Sequence, residues 1–338
     1  MLFDALASVA AMSLLAVAVP GSPPSPLAHT YSIVARDPKT GDMGVAVQSH
    51  YFSVGPVVPW AEAGIGAVAT QSLVLVDYGP NGLELMRNGL TARQALDSLL
   101  ASDPHNEGRQ VAMVDAKGNV AAYTGSKCIP DAGHLTGAQF SVQANLMANA
   151  TVWPAMKAAF EKAEGDLAER LMKTLEAAQK AGGDIRGKQS AAILVVRGQP
   201  TGKPWMDRIF DLRVEDAVDP LKELRRLMRL RRAYNLEDAG DNFIAEKKPV
   251  EALKAYEEAA KLAPEVVELQ FWAAVSMYTN DRKPEALKLF RQVFSKEGHW
   301  ADLVPRLAKA GLFPDDPKQI DEVVSQRPRG RMDRMTSK

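Results

Sequence analysis

Seven polar residues stand where an apolar run ends or a Gly-rich loop begins. Ser49 and His50 follow Met43–Gln48, Gln71 and Ser72 follow Ile65–Thr70, and Asn145 follows Phe140–Ala144. Strand ends are where a rigid scaffold carries binding and catalytic groups. An Asn amide at such a place can donate to a developing oxyanion; the plainer reading is an Asn bonded locally at its strand end. Gln71 and Ser72 read either as site groups or as turn caps. His50 reads either as a site group or as a surface residue ahead of Tyr51 and Phe52. Asp184 and Arg186 lie in the loop Gly182–Gly187. The Arg186 fork can hold a substrate carboxylate through two hydrogen bonds, or it can close on Asp184 and fix the loop. Cys128 and His134 invite a Cys–His dyad, but their spacing is uninformative and no third orienting group is evident. A buried thiol beside a structural histidine is the stronger reading.

The rest of the inventory narrows the chemistry. Cys128 is the only cysteine of 338 residues, so neither an internal disulfide nor a multi-Cys zinc site can form. The five histidines are scattered and no HExxH or GxGxxG occurs, so no metal and no cofactor is assigned. Lys+Arg and Asp+Glu both total 41, which removes a general electrostatic case for nucleic acid or an anionic membrane surface. The length fits about two domains.

These residues need elements to hold them. Tyr31–Arg36 and Met43–Gln48 flank a Pro/Gly turn and read as a hairpin; Val111–Asp115 and Asn119–Thr124 read as a second. Ile65–Thr70, Phe140–Asn145, Ala191–Val196 and Ile209–Val214 complete the strands. Thr91 to Gln94 is a capping box, which with Leu96, Leu99 and Leu100 predicts a helix over Thr91–Ala101. Trp153–Lys162 and Leu167–Ala181 carry apolar residues at helical spacing, the second stopped by Gly182 and Gly183. Hairpin connections make the strands mostly antiparallel, and two sheets covered by helices fit the order better than a doubly wound parallel sheet.

The first 29 residues read as a signal peptide and Pro-rich leader and are set outside the fold. The uncharged apolar run Ala5–Val19 suits a signal-peptide core and is short for a membrane span. Ala16 and Ala18 form a small-x-small site, with a weaker one after Ala28; Asp4 and the lack of a basic residue ahead of the run speak against export. The expectation is an exported chain, periplasmic or secreted, with no integral membrane domain once mature.

From Pro220 the chain turns helical. Pro220–Arg232 reads as a connecting helix, within a linker over 216–232, with a solvated basic face. A 34-residue repeat follows: Glu251–Lys254 recurs as Glu285–Lys288, and Tyr256 is matched by Phe290. Leu236, Gly240, Phe243, Ala252, Tyr256, Ala259 and Pro264 resemble the tetratricopeptide pattern. Repeats are expected over 233–315, with Leu303–Ala310 as a capping helix, and a basic, disordered tail over 316–338. Two repeats are too few to stand alone, so they should lean on the first domain, on a protein partner or on another copy of the chain.

Seven ordered blocks carry a more specific likeness: His29–Pro38, Gly44–Ser49, Pro59–Gln71, Tyr123–Gly125, Ala132–His134, Val142–Leu146 and Ala181–Ala192. Over about residues 30–232 the chain resembles the bacterial domain-of-unknown-function 1028 family. The resemblance implies an N-terminal-nucleophile hydrolase-like fold for residues 30–215. The expected whole is α+β: a four-layer αββα sandwich followed by a small all-α tetratricopeptide-like domain.

That fold implies a chemistry. Its first strand opens with the nucleophile, whose own α-amino group, with pKa about 7.7–8.0, serves as general base. Thr30 stands there; the plain reading of Thr30 is a β-branched residue opening a strand. Ser49 and Asn145 would complete the catalytic set, with His50, Gln71, Ser72, Asp184 and Arg186 binding substrate. Relatives often carry Lys where this chain has His50. Neither signal-peptidase site exposes Thr30, so self-cleavage or a trimming peptidase is required. The expected activity is hydrolysis of a small amide or peptide; the alternative is a non-catalytic scaffold that binds a metabolite and recruits a protein through its repeats.

Overall fold

The computed structural model describes residues 27–328. The signal-peptide core, the cleavage site at Ala16–Ala18 and the end of the basic tail lie outside the described residues.

Among the described residues, eleven strands form two antiparallel sheets. The five-stranded sheet contains β1 (Leu27–Ala28), β4 (Pro59–Glu62), β5 (Gly66–Leu73), β6 (Arg109–Asp115) and β7 (Val120–Thr124), ordered β1-β5-β6-β7 with β4 also on β5. The six-stranded sheet contains β2 (Thr30–Arg36), β3 (Met43–Ser49), β8 (Gly133–Gly137), β9 (Phe140–Ala144), β10 (Ser190–Val196) and β11 (Arg208–Val214), ordered β11-β10-β3-β2-β9-β8. Both hairpins form as the turn chemistry requires.

Side-chain alternation makes the layers. Tyr31, Ile33, Phe140, Val142, Ile193 and Val195 turn outward and pack under α3 (Val152–Lys162) and α4 (Leu167–Lys180). Val34, Val45 and Val47 turn inward and meet Ala67, Ala69, Ala112 and Val114 of the other sheet. That sheet's outer face, Val68, Val111, Met113 and Ala121, is covered by α1 (Tyr78–Arg87) and α2 (Ala92–Ser102). Thr91 and Gln94 form the capping box that starts α2, and Gly182 and Gly183 close α4, both at positive φ.

The inner face changes character along its length. At one end it is Val and Ala; at the other the same alternation brings in Thr30, Ser32, Ser49, Gln71, Gln110 and Gln143, all buried. Buried polar groups must find partners, and here they find one another.

Beyond the sheets the chain is mostly helical. The expected linker helix is not a separate element: α5 (Pro220–Ala245) runs unbroken from the sheets into the helical region. Its first half packs Leu221, Leu224 and Met228 on the six-stranded sheet and α4, and its second half pairs with α6 (Pro249–Leu262). The basic face of α5 is matched by acids. Arg225 binds Glu169 and Glu176, Arg226 binds Glu223, Arg229 binds Glu265 and Arg232 binds Asp166. Then come α7 (Val267–Thr279) and α8 (Lys283–Lys296); α6 and α8 begin and end 34 residues apart. Gly240 lets α5 and α6 close up, since a Cβ there would lie 2.6 Å from the Tyr256 ring. The chain continues through α9 (Val304–Lys309) to α10 (Pro317–Val324), capped by Asp316 and anchored by buried Val323. Residues 317–324 are therefore helical where a disordered tail is expected from composition.

Candidate functional site

The polar end of the inter-sheet layer surrounds the peptide bond between His29 and Thr30. Leu27–His29 belong to the fold rather than to an excluded leader: β1 pairs with β5 through Leu27–Leu73 and Ala28–Ser72, and Ala28 and His29 are buried. Thr30 opens β2 opposite Ser49 of β3. Its hydroxyl lies 2.7 Å from the Ala28 carbonyl oxygen and 3.2 Å from Ser49 Oγ.

The His29 carbonyl oxygen accepts two hydrogen bonds, from Ser49 Oγ at 2.6 Å and from Arg186 Nη2 at 2.8 Å. One is a hydroxyl and the other a cation, so a negative charge growing on that oxygen would be stabilised from two sides. Arg186 is itself held. Its Nε and Nη2 donate to the two Asp184 oxygens at 3.0 and 2.7 Å, and Asp184, with its side chain fully buried, also accepts from the backbone N–H groups of His50 and Arg186. The charge of Arg186 is thus matched inside the loop, in a geometry different from an open carboxylate clamp.

Asn145 follows β9 and stands one step from the carbonyl. Its backbone N–H donates to Thr30 O at 3.1 Å, its Nδ2 donates to Gln110 Oε1 at 2.9 Å, and its Oδ1 faces His29 Nδ1 at 2.8 Å. Burial holds the His29 imidazole below its ordinary range, against the raising effect of the Asn145 bond. A neutral ring donating from Nδ1 matches the Asn145 oxygen. Gln71 donates to Thr30 O at 3.2 Å and to Gln110 Oε1 at 2.7 Å. Ser72 is buried in left-handed backbone where β5 meets β1.

The structure thus brings Thr30, Ser49, Asn145, Gln71 and Arg186 around one peptide bond, with Asp184 behind Arg186 and Ser72 beside Ala28. His50 is exposed and joins the cluster through its backbone N–H. Two residues escape sequence reading. His29 passes as leader. Gln110 is the hub, its Nε2 donating to Ala144 O and Thr124 Oγ1, both at 2.9 Å. No local signal marks Gln110, because both faces of β6 are buried.

Cys128 and His134 line a cavity of about 550 Å³ with Thr124 and Asp131. The thiol donates to the Arg109 carbonyl at 3.3 Å, while the ring bonds Thr124 Oγ1 at 2.8 Å. Burial pushes the thiol's pKa up, opposite to what a nucleophilic thiolate needs. Among the described residues, no group of three or more His, Cys, Asp or Glu is arranged to hold a metal ion, and no helix is long and apolar enough to cross a membrane.

Comparisons with known proteins bear on part of the chain. The crystal structure of a DUF1028 protein from Silicibacter pomeroyi is similar, with 30% identity and a TM-score of 0.54, over 60% of this chain and 88% of that one. No curated protein matches the chain. The family model described as "Family of unknown function (DUF1028)" matches residues 30–224, more than half of the chain. The chain belongs to the DUF1028 family of unknown function, whose shared region in this sequence opens at Thr30.

Proposed function

We propose that the chain is the precursor of an N-terminal-nucleophile amidohydrolase, with an αββα core, in which Thr30 is the nucleophile and the His29–Thr30 bond is the first bond it cuts. The observation that carries this is the pair of donors, Ser49 and Arg186, on the carbonyl immediately ahead of a threonine hydroxyl. A carbonyl at an ordinary strand start needs one partner; this one has a hydroxyl and a partly exposed guanidinium that a fully buried carboxylate holds in place.

In the maturation step Thr30 Oγ1 attacks the His29 carbonyl carbon. The hydroxyl proton moves to the departing Thr30 nitrogen, while Ser49 and Arg186 hold the oxyanion. The C–N bond breaks and an ester joins His29 to Thr30 Oγ1. Water hydrolyses that ester, leaving a carboxylate on His29 and a free amine on Thr30. The amine, with pKa about 7.7–8.0, then takes the hydroxyl proton when an external amide is attacked. Before cleavage that nitrogen is an amide and has no basicity to offer.

The sequence features ahead of Ala28 support export of the precursor. The 34-residue helix pairs support a tetratricopeptide-like unit that leans on the hydrolase core through α5.

Intact-mass analysis of purified protein tests the reading. A chain beginning at Thr30 is expected for wild type and for Thr30→Ser, and an uncut His29–Thr30 bond for Thr30→Ala. Wild-type protein that stays uncut under all conditions overturns it and leaves a ligand-binding scaffold.

A further inference from the structure

The residues that would leave on cleavage are seated along β5 and between the sheets. Leu27 and Ala28 add a two-residue strand to the edge of β5, in line with β4, which pairs with the same edge from Pro59–Ala69 to Glu62–Gly66. When they go, the backbone groups of Ser72 and Leu73 become an open edge of the kind that captures an extended peptide. Ala28 packs into the apolar layer between the sheets and is fully buried, so the position it holds admits only a small side chain. His29 is 2% exposed, and its ring donates to Asn145 Oδ1. Its carbonyl meets Ser49 and Arg186. These are contacts that a substrate's acyl half could make, made here by the chain itself.

One contact is missing. His29 Nε2 is buried with no hydrogen-bond partner. A buried acceptor without a partner is unfavourable, and release of the leader relieves it.

We infer that the groove filled by Leu27–His29 is the acyl subsite of the processed protein, which takes peptides or peptide amides in extended form, with a hydrogen-bond-donating side chain of the imidazole type at the scissile carbonyl and a small residue before it. This rests on the hydrolase reading above and narrows it from amides in general to peptidyl amides that add a strand to β5.

The test uses processed full-length protein and fluorogenic amides of acetyl-Leu-Ala-His, acetyl-Leu-Ala-Leu and acetyl-Leu-Trp-His. The first is expected to exceed the other two by about ten-fold or more in kcat/KM: the Leu probe lacks the donor that the site receives, and the Trp probe overpacks the position that Ala28 holds. Asn145→Leu should bring the His-to-Leu ratio toward one, while Asn145→Asp, which keeps the acceptor, should preserve the preference. Acetyl-Leu-Ala-His amide should bind processed wild type and fail to bind uncut Thr30→Ala, whose own leader fills the groove. Equal turnover of all three probes by processed protein overturns the subsite and leaves the hydrolase reading standing. If Thr30 never becomes N-terminal, intact mass reports the failure of both before any peptide is added.

Discussion

The guanidinium of Arg186 and the carbonyl oxygen of His29 meet at 2.8 Å although 157 residues separate them in sequence. The meeting is arranged by Asp184, whose two oxygens take two of the Arg186 donors and leave Nη2 shared with His29. Arg186→Ala should therefore slow appearance of the Thr30 terminus by roughly 10²–10³-fold, the effect of removing one oxyanion donor. Arg186→Lys should fall between, because an ammonium cannot make the same fork. Ser49→Ala should match Arg186→Ala in size. An intact-mass time course reads all three, and cleavage of Arg186→Ala at the wild-type rate removes its assigned role.

Docking of the leader should depend on pH through His29. Burial lowers its pKa from 6.5, so the docked state holds the neutral ring. The contribution of His29 to docking is present above its undocked value of 6.5 and is lost as pH falls through the docked value. In uncut Thr30→Ala, protease sensitivity near Ala28 should rise between pH 7.5 and pH 5. Replacing His29 with Gln should flatten that dependence; a pH response unchanged in His29→Gln assigns it elsewhere.

Gln110 ties both sheets together, and its loss should be felt in stability as well as in the site. Gln110→Leu would leave Gln71 Nε2, Asn145 Nδ2 and the Ala144 carbonyl short of a partner in a buried layer. At about 1–3 kcal/mol for an abandoned buried group, with some relaxation, a loss of about 3 kcal/mol in thermal or urea unfolding is expected. Gln110→Glu, which keeps the acceptor but not the donor, should lose less.

Much of the scaffold is legible because it rests on local rules. Period-two apolar runs around Gly-containing turns give both hairpins, the Thr91–Gln94 pair gives the start of α2, and Gly182 gives the end of α4. Ser49, Gln71, Asn145 and Arg186 are legible as polar residues at strand ends and in a Gly-rich loop. What each one touches is not, because Arg186 and His29, or Gln110 and Asn145, are joined only by the way the sheets stack. His29 is missed for a different reason: it follows a Pro-rich stretch that reads as leader, and no local pattern shows that Ala28 pairs with β5 and that His29 is buried in the site. Residues 317–324 are misread because the basic tail that starts at Arg327 is extended back over them, past the Asp316–Pro317 helix start.

The absence of α1 from the sequence reading has its own cause, and it yields a prediction. Gly79, Pro80 and Gly82 weaken any helical pattern there, and α1 nonetheless spans Tyr78–Arg87. A Cβ on Gly79 would stand 2.3 Å from the Trp60 ring, and one on Gly82 would stand 2.8 Å from Met113. Gly to Ala in an open helix stabilises by up to about 1 kcal/mol. Here overpacking at about 1–3 kcal/mol should reverse the sign. Gly79→Ala is expected to lower the melting temperature, and the paired change Gly79→Ala with Trp60→Leu to recover part of the loss. Stabilisation by Gly79→Ala alone would mean that Trp60 is free to move aside.

The helical region should respond to pH in its own direction. Glu237 is buried on α5, facing Glu268 of α7 and near Asp241 and Asp238 of its own helix, and burial with these charges pushes its pKa up to about 7 from 4.5. A carboxyl raised in the folded state holds its proton there and releases it on unfolding. Its stabilising contribution is therefore complete below pH 4.5 and is lost as pH rises through about 7. Glu237→Gln keeps the shape and removes the charge, so the variant should be more stable than wild type at pH 8 by about 1–3 kcal/mol, with the two converging near pH 5. Urea unfolding followed at both pH values, with far-UV circular dichroism weighted to the helices, measures the difference. Parallel curves for the two proteins across that range would show that Glu237 stays ionised, with water reaching its carboxylate.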